Sequence, residues 1–166
     1  MHSFVTNRLD YCNSLLAGAP AYLLADMQRV LNSAARLLLN EKRSQHNLRP
    51  LVRDNLHWLR VPQRIDYKVC LTVYKALHGL APSYLTDLCV PAACSSNRDS
   101  LRTAGIKGEL IVPRHKLETY GPRSFCIAGP TTWNNLPATI RDPNLSLGEF
   151  QTLLKTHLFR ESYDLI

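Results

Sequence analysis

The sequence predicts a mainly α-helical fold, and three observations support this prediction. Apolar residues recur at helical spacing in four stretches, near residues 3–17, 21–39, 61–78 and 147–160. Proline or glycine stands near several of their ends. Only short extended stretches appear, between residues 101 and 112. We expect an N-terminal bundle of three to four helices, a loop-rich segment with a small β-hairpin, and a C-terminal helix.

The first two helices are predicted from their apolar spacing. The first, over 3–17, repeats Val5, Leu9, Cys12 and Leu16 and is ended by the glycine and proline of 18–20. The second, over 21–39, has an apolar stripe with polar residues on the opposite face. The stripe consists of Leu23, Leu24, Met27, Val30, Leu31, Ala34 and Leu38, and the opposite face carries Arg29, Asn32, Ser33 and Arg36.

The third long helix, over 61–78, is the one around which we expect the others to pack. Its apolar face is broad, comprising Ile65, Val69, Val73, Ala76 and Leu80, widened by Cys70 and Leu77. Arg64, Lys68 and Lys75 lie on the opposite face. Pro62 suits the first helical turn, and Gly79 suits the positive φ that ends a helix. Shorter helices are predicted at 51–56 and 83–88.

The pattern changes after residue 90. Residues 90–97 read as a linker, so we predict a helical unit over 1–89 and a loop-rich segment over 98–166. Residues 101–103 and 109–112 form the predicted hairpin, and 119–137 predicts short helical turns packed through aromatic residues. Ser146 and Glu149 match a capping box, which predicts the start of the last helix.

The positive charge is concentrated in one part of the chain. The net charge is +7, and residues 29–75 hold ten lysines and arginines against three acids, which equals the whole excess. Such segregation favours an anionic partner, with nucleic acid ahead of a membrane surface. Five cysteines without paired spacing predict reduced thiols in an intracellular protein and no zinc site. We identify neither a signal peptide nor a membrane span.

The sequence lacks the motifs of common enzyme classes. We find no phosphate-binding glycine loop, no zinc-protease motif, no serine-hydrolase elbow and no adjacent pair of acids. Two-metal phosphoryl transfer requires clustered carboxylates, so we expect neither metal nor cofactor. Residues 105–108 match the Gly-x-x-Gly pattern of a KH-domain loop. Their flanks are predicted to be extended, which favours a simple turn.

Seven cations are the candidate binding residues, namely Arg29, Arg36, Lys42, Arg43, Arg64, Lys68 and Lys75. The functional interpretation is that they follow a phosphate backbone, which gives salt-dependent and sequence-independent affinity. The alternative is a solvated outer face. Trp58 and Tyr67 have two interpretations as well, base stacking or core packing, and core is favoured. We interpret His57 and His78 as structural residues.

Several blocks of the sequence resemble one known family. They include RLDYCNSLLAG at 8–18, LHWLRV at 56–61, YKALHG at 74–79 and WNNLP at 133–137, with shorter blocks at 64–68, 112–114, 119–121, 128–130 and 154–159. In this order and spacing they resemble the region after the palm in reverse transcriptases of LINE-type (non-LTR) retrotransposons. The resemblance covers nearly the whole chain.

This resemblance implies a thumb-like region and tail whose basic helical face grips the backbone of an RNA–DNA or DNA primer–template duplex. The polymerase Asp-Asp motif and any endonuclease motif are absent, so we expect no enzymatic activity. The missing polymerase body is an implied partner, a membrane is not, and the implied location is nuclear. The alternative is a truncated relic or a helical protein-interaction module, in which Tyr67 and Leu71 would contact a partner helix.

Overall fold

The computed structural model describes residues 2–42, 48–92, 108–117 and 120–163. Within these ranges the chain is helical, which confirms the predicted mainly α fold. The elements are α1 (His2–Asp10), a 3-10 turn (Asn13–Leu16), α2 (Ala21–Leu39), α3 (Arg49–Leu51), a π-helical turn (Val52–Leu56), α4 (Val61–Leu77), α5 (Ser83–Thr86), α6 (Phe125–Asn134) and α7 (Leu147–Ser162).

Helix α4 is the centre of the fold, as the sequence predicted. It packs against the 3-10 turn, α2, α5, α6 and α7. Its apolar face is buried along the whole length, from Val61 and Ile65 to Val73 and Ala76. Since these residues recur every three or four positions, the buried face points to the core through all turns of the helix.

The two ends of α4 are fixed by different means. Pro62 lies in the first turn, and the Val61 N–H donates to Oε1 of Gln28 on α2 at 2.9 Å. A neighbouring helix therefore satisfies an N–H that a local cap would otherwise bond. Gly79 ends the helix with φ of +67°. The prediction that Leu80 belongs to the buried stripe was wrong, because Leu80 lies beyond this glycine and is 59% exposed.

The helix predicted over 3–17 is interrupted. Regular α1 ends at Asp10, Cys12 adopts a left-handed φ of 52°, and a 3-10 turn follows. The buried Asn13 explains the break, since its Nδ2 donates to Oδ1 of Asp10 at 3.3 Å and to the Arg64 carbonyl at 3.5 Å. Burial of this amide against α4 determines the local conformation more strongly than helical spacing does.

Helix α2 has the predicted bounds but a narrower buried face. Leu31, Ala34 and Ala35 are buried, whereas Leu23 and Val30 of the predicted stripe are 42% and 54% exposed. Two alanines allow the neighbouring elements to approach α2 closely along this face. Leu38, which also belongs to the predicted stripe, lies outside the buried face and is 39% exposed.

Residues 109–111 do pair with an extended segment. The Ala92 N–H donates to the Glu109 carbonyl and the Ile111 N–H to the Val90 carbonyl, both at 2.9 Å. The partner is thus the segment predicted as a linker, while residues 101–103, the predicted partner, lie outside the described residues. The side chain of Asn134 extends this pairing by bonding both the N–H and the carbonyl of Leu110.

The prediction of short turns over 119–137 was wrong in one respect, because 125–134 forms a single helix. Pro130 lies inside α6 and is fully buried. A Cβ on Gly129 would lie 3.2 Å from Cγ2 of Val73, so this glycine allows close contact with α4. Packing against α4 therefore stabilises a helix that its own glycine and proline disfavour.

The segments before and after residues 90–97 share a core. Tyr74 of α4 stacks on Phe150 of α7 with centroids 4.3 Å apart, and Trp133 of α6 stacks on Phe150 at 5.7 Å. The capping box at Ser146 and Glu149 is confirmed. No helix in the described part of the chain has the length and apolarity needed to cross a bilayer.

Candidate nucleic-acid interface

A cleft of about 510 Å³ lies between α1, α4, α7 and the residues that precede α4. Its charged and polar lining includes Thr6, Asp10, His57, Arg64, Tyr67, Lys68 and Lys155. Arg64 and Lys68 are four residues apart on α4, so both side chains project from the same face. Because the opposite face of α4 is buried, these two cations are held at the cleft by the core itself.

Arg64 is already paired. Its Nε donates to Oδ1 of Asp10 at 2.8 Å and its Nη2 to Oδ2 at 2.5 Å. Both side chains are largely buried, with exposed fractions of 16% and 30%. This bidentate bond joins the end of α1 to α4. Arg64 therefore positions the wall of the cleft, and its charge is balanced before any ligand binds.

Lys68 and Lys155 are the unbalanced cations of the cleft. Lys68 projects from α4 and Lys155 from α7, and both are exposed. Among the described residues, neither ammonium has a carboxylate within ion-pair distance. Lys155 was not among the predicted site residues. In the sequence it lies late in the last helix, within the block at 154–159. The packing of α7 on α4 brings it to the same cleft as Lys68.

His57 contributes a ring at the edge of the cleft. It is a non-glycine residue with φ of 50°, it is exposed, and its ring lies 6.0 Å from that of Phe159. A left-handed backbone at such a residue is uncommon and costs free energy. Here it terminates the π-helical turn and directs the following Trp58 into the core.

The two aromatic candidates behave differently. Trp58 is 5% exposed, which confirms the core interpretation and leaves its ring no exposed face on which a base could stack. Tyr67 is half-buried and lines the cleft. Burial raises the pKa of the Tyr67 phenol, so the hydroxyl is protonated at neutral pH and available as a hydrogen-bond donor.

Arg29 and Arg36 lie on α2 and do not line the cleft. Arg29 donates to Oδ1 of Asp26 at 2.6 Å in an exposed ion pair, a type that stabilises proteins by about 1 kcal/mol or less. Arg36 lines a smaller cavity together with Arg49 and Arg60. The cleft residues 57–59 run directly into Arg60, so the two cationic regions meet in this segment.

Two of the remaining predicted cations, Lys42 and Lys75, lie at helix ends. Lys42 is exposed beyond the end of α2, and Lys75 is half-buried in the last turn of α4, where the helix dipole favours a cation. Arg43 lies outside the described residues. The structure thus divides the predicted set: Arg64 and Lys68 share the cleft, Arg29 and Arg36 belong to α2, and Lys75 lines neither cavity.

Comparison with protein-family models, curated proteins and solved structures gives no match to this chain. Across the described ranges, no three His, Cys, Asp or Glu side chains form a group that could hold a metal ion. The class that the fold and site define is therefore a mainly helical protein with a cationic cleft.

Proposed function

We propose that this chain is a non-catalytic nucleic-acid-binding fragment resembling the thumb and C-terminal region of a LINE-type reverse transcriptase. It grips the backbone of a primer–template duplex. One observation carries the proposal: Lys68 and Lys155 come from helices far apart in the sequence, face one cleft, and have no acidic partner among the described residues. Because the core holds the helices that carry these cations, only the lysine side chains have to be ordered when they bind phosphate.

Phosphate contact fits the chemistry of this cleft better than base recognition does. Lysine ammonium groups are compact cations that contact backbone oxygens without reading sequence. Trp58 is buried, and the cleft offers His57 and Tyr67 as its aromatic edges. An RNA–DNA hybrid and a DNA duplex both present the required phosphates, so binding with weak sequence dependence is expected for both.

The test is a salt titration of duplex binding, measured by fluorescence anisotropy for the native chain and for a Lys68→Glu/Lys155→Glu variant. The slope of log affinity against log salt becomes shallower by about 0.9 for each phosphate that the protein no longer neutralises. We expect the double variant to bind more weakly at low salt and with a shallower slope. Hybrid and DNA duplexes of equal length separate the two substrates.

Lys116→Glu is the matched control, because Lys116 is exposed and lines no part of the cleft. The double variant should lose more than twice the binding free energy that Lys116→Glu loses. Equal losses per substitution would show that the effect comes from the net charge of the protein and not from the cleft. Affinity that ignores salt would contradict backbone binding altogether.

A helical protein-interaction module is the second candidate, and one observation favours it. Large apolar side chains are exposed along α1, the 3-10 turn and α2: Phe4, Tyr11, Leu15, Tyr22 and Leu37. Tyr67 and Leu71, which suggested this function from sequence, instead pack partly against the core. The resemblance to LINE-type reverse transcriptases implies that the partner of such a surface would be a polymerase body. Absence of saturable duplex binding would favour this candidate or a relic without function.

A further inference from the structure

Three arginines converge on a small cavity beside α2. The cavity measures about 180 Å³ and receives Arg36 from α2, Arg49 from α3 and Arg60 from the start of α4. Gln28, Asn32 and Tyr163 complete its polar lining. No carboxylate of the described residues lines it. Arg36 and Arg60 place like charges at this cavity, and an anion beside them would relieve their repulsion.

The three guanidinium groups differ in how they are held. Nε of Arg36 is buried and has no hydrogen-bond partner among the described residues. Nη2 of Arg49 donates to the Ser162 carbonyl at 2.9 Å, and its guanidinium lies 5.9 Å from the centre of the Tyr163 ring. Arg60 is exposed at the N-terminal boundary of α4. A buried donor without an acceptor is costly, and an anionic oxygen would satisfy it.

The amide of Gln28 orients the amide of Asn32 at the cavity. Oε1 of Gln28 accepts from the Val61 N–H at 2.9 Å, which directs Nε2 of Gln28 toward Oδ1 of Asn32, also at 2.9 Å. Since Oδ1 of Asn32 accepts this bond, the Nδ2 hydrogens of Asn32, which lines the cavity, remain as donors. Tyr163 donates its hydroxyl to the Trp58 carbonyl at 2.7 Å.

The cavity therefore offers N–H donors from Arg36, Arg60 and Asn32. We propose that it binds a phosphate group, either the free ion or a phosphate monoester, through these three residues. Guanidinium forks match the oxygens of phosphate, and several forks require an anion with at least three acceptor oxygens. This inference goes beyond backbone binding at the cleft, because the site requires no duplex.

The test is a titration of inorganic phosphate against chloride at constant ionic strength. It is followed by ¹H–¹⁵N spectra of the arginine Nε–H groups and by thermal unfolding. The native chain should show saturable shifts at Arg36 and a phosphate-dependent increase in unfolding temperature. We expect Arg36→Gln and Arg60→Gln each to weaken phosphate binding about tenfold, as loss of a charged hydrogen bond does.

Arg29→Gln is the matched control, because it removes the same charge from α2 outside this cavity. Phosphate affinity should stay within about twofold of the native value, since a distant surface charge is screened by salt. Arg60→Lys, on an exposed side chain, keeps the charge and loses the fork. It should bind phosphate more weakly than the native chain while unfolding at the native temperature without phosphate. No saturable shift in the native chain, or an equally large decrease in affinity in Arg29→Gln, would overturn the proposal.

Two further arms identify the source of the phosphate and separate this site from the cleft. A single-stranded oligonucleotide with a 5′-phosphate is compared with the same strand bearing a 5′-hydroxyl. Tighter binding of the phosphorylated strand would assign a nucleic-acid end, and equal binding of both, beside saturable inorganic phosphate, would assign the free ion. The Lys68→Glu/Lys155→Glu variant should keep native phosphate affinity, so either proposal can fail alone.

Discussion

Asp66 is a half-buried acid on α4 without a cationic partner among the described residues. Burial raises the pKa of its carboxyl to about 6, and the negative charge of Glu161 on α7 adds to the effect. Cys70, one turn further along α4, is fully buried. Burial raises the pKa of the Cys70 thiol, and the charges of Asp66 and Glu161 raise it further. The surroundings of Asp66 and Cys70 therefore favour the protonated carboxyl and the protonated thiol.

The sign of the pH dependence follows from the raised pKa of Asp66. The folded state binds this proton more tightly than the unfolded state, so the stabilisation is present below about pH 4 and is lost as pH rises through about 6. Two pKa units correspond to about 3 kcal/mol at most. Asp66→Asn should therefore raise the free energy of unfolding at pH 7.5 and leave it nearly unchanged at pH 4.

Urea unfolding of both chains at the two pH values measures this difference. Asp87→Asn, at an exposed position after α5, controls for the loss of a surface carboxylate. Equal effects of Asp66→Asn at pH 4 and pH 7.5 would contradict the assigned role of Asp66.

Charge pairing shows what could not be predicted at the level of residues. The excess counted over 29–75 omitted two acids outside that range, Asp10 and Asp26, which pair with Arg64 and Arg29. Asp26 lies three residues from Arg29 on one helix, a spacing visible in the sequence. Asp10 reaches Arg64 only because the 3-10 turn that follows α1 packs on α4. Long-range pairing of this kind has no local signal, and the same is true of Lys155.

At the level of elements, α7 depends on its N-terminal cap. Oγ of Ser146 accepts from the Glu149 N–H, and the Ser146 N–H donates to Oε2 of Glu149 at 2.9 Å. These hydrogen bonds from Ser146 lower the pKa of the Glu149 carboxyl. The helix they start buries Phe150, Leu154 and Leu158, so fraying of its first turn disturbs the core directly.

Ser146→Ala should lower the free energy of unfolding by about 1 kcal/mol, the usual effect of losing a side-chain cap. Guanidinium denaturation measures the change. Ser124→Ala is the matched control, because Ser124 precedes α6 and its hydroxyl contacts Sγ of Cys126 at 2.9 Å but makes no capping bond. Equal destabilisation by both substitutions would show that the box contributes nothing beyond the serine hydroxyl itself.

The sequence predicted elements best where local signals agree. This holds for α2, α4 and the start of α7, where apolar spacing coincides with a proline or serine at the N-terminal end. The predicted and observed bounds agree there to within one residue. It predicted them poorly where tertiary contacts decide, as at Asn13, whose buried amide ends α1, and at Pro130, whose burial accompanies an unexpected helix. The pairing of 90–92 with 109–111 joins segments that are far apart in the sequence, and periodicity within a segment does not detect such a contact.

At the level of the whole molecule, one helix joins two buried clusters. The first contains Trp133, Leu136, Phe150 and Leu154 with the second half of α4, and the other contains Leu31, Ala34 and Trp58 with its first half. Phe125 of α6 packs partly against both clusters. Because α4 contributes to both clusters, unfolding of this helix exposes apolar surface in both of them.

We therefore expect the described helices to unfold as one cooperative unit, although the sequence suggested a boundary at 90–97. Each cluster holds one tryptophan. In Trp133→Phe, the fluorescence of Trp58 reports on the N-terminal cluster. In Trp58→Phe, the fluorescence of Trp133 reports on the C-terminal cluster. In both variants, fluorescence and far-UV circular dichroism should give coincident denaturation curves, the criterion for two-state unfolding.

Phe150→Ala sharpens this test, because Phe150 is fully buried and stacks on both Tyr74 and Trp133. Removal of a buried phenylalanine ring costs about 3–5 kcal/mol. If the chain is one unit, the midpoint reported by Trp58 should fall as far as that reported by Trp133, although Trp58 belongs to the other cluster. Leu153→Ala, at a 42% exposed position on the same helix, should shift both midpoints little. A Trp58 midpoint that does not move would instead establish two independent domains, and the basic N-terminal helices could then be tested for nucleic-acid binding alone.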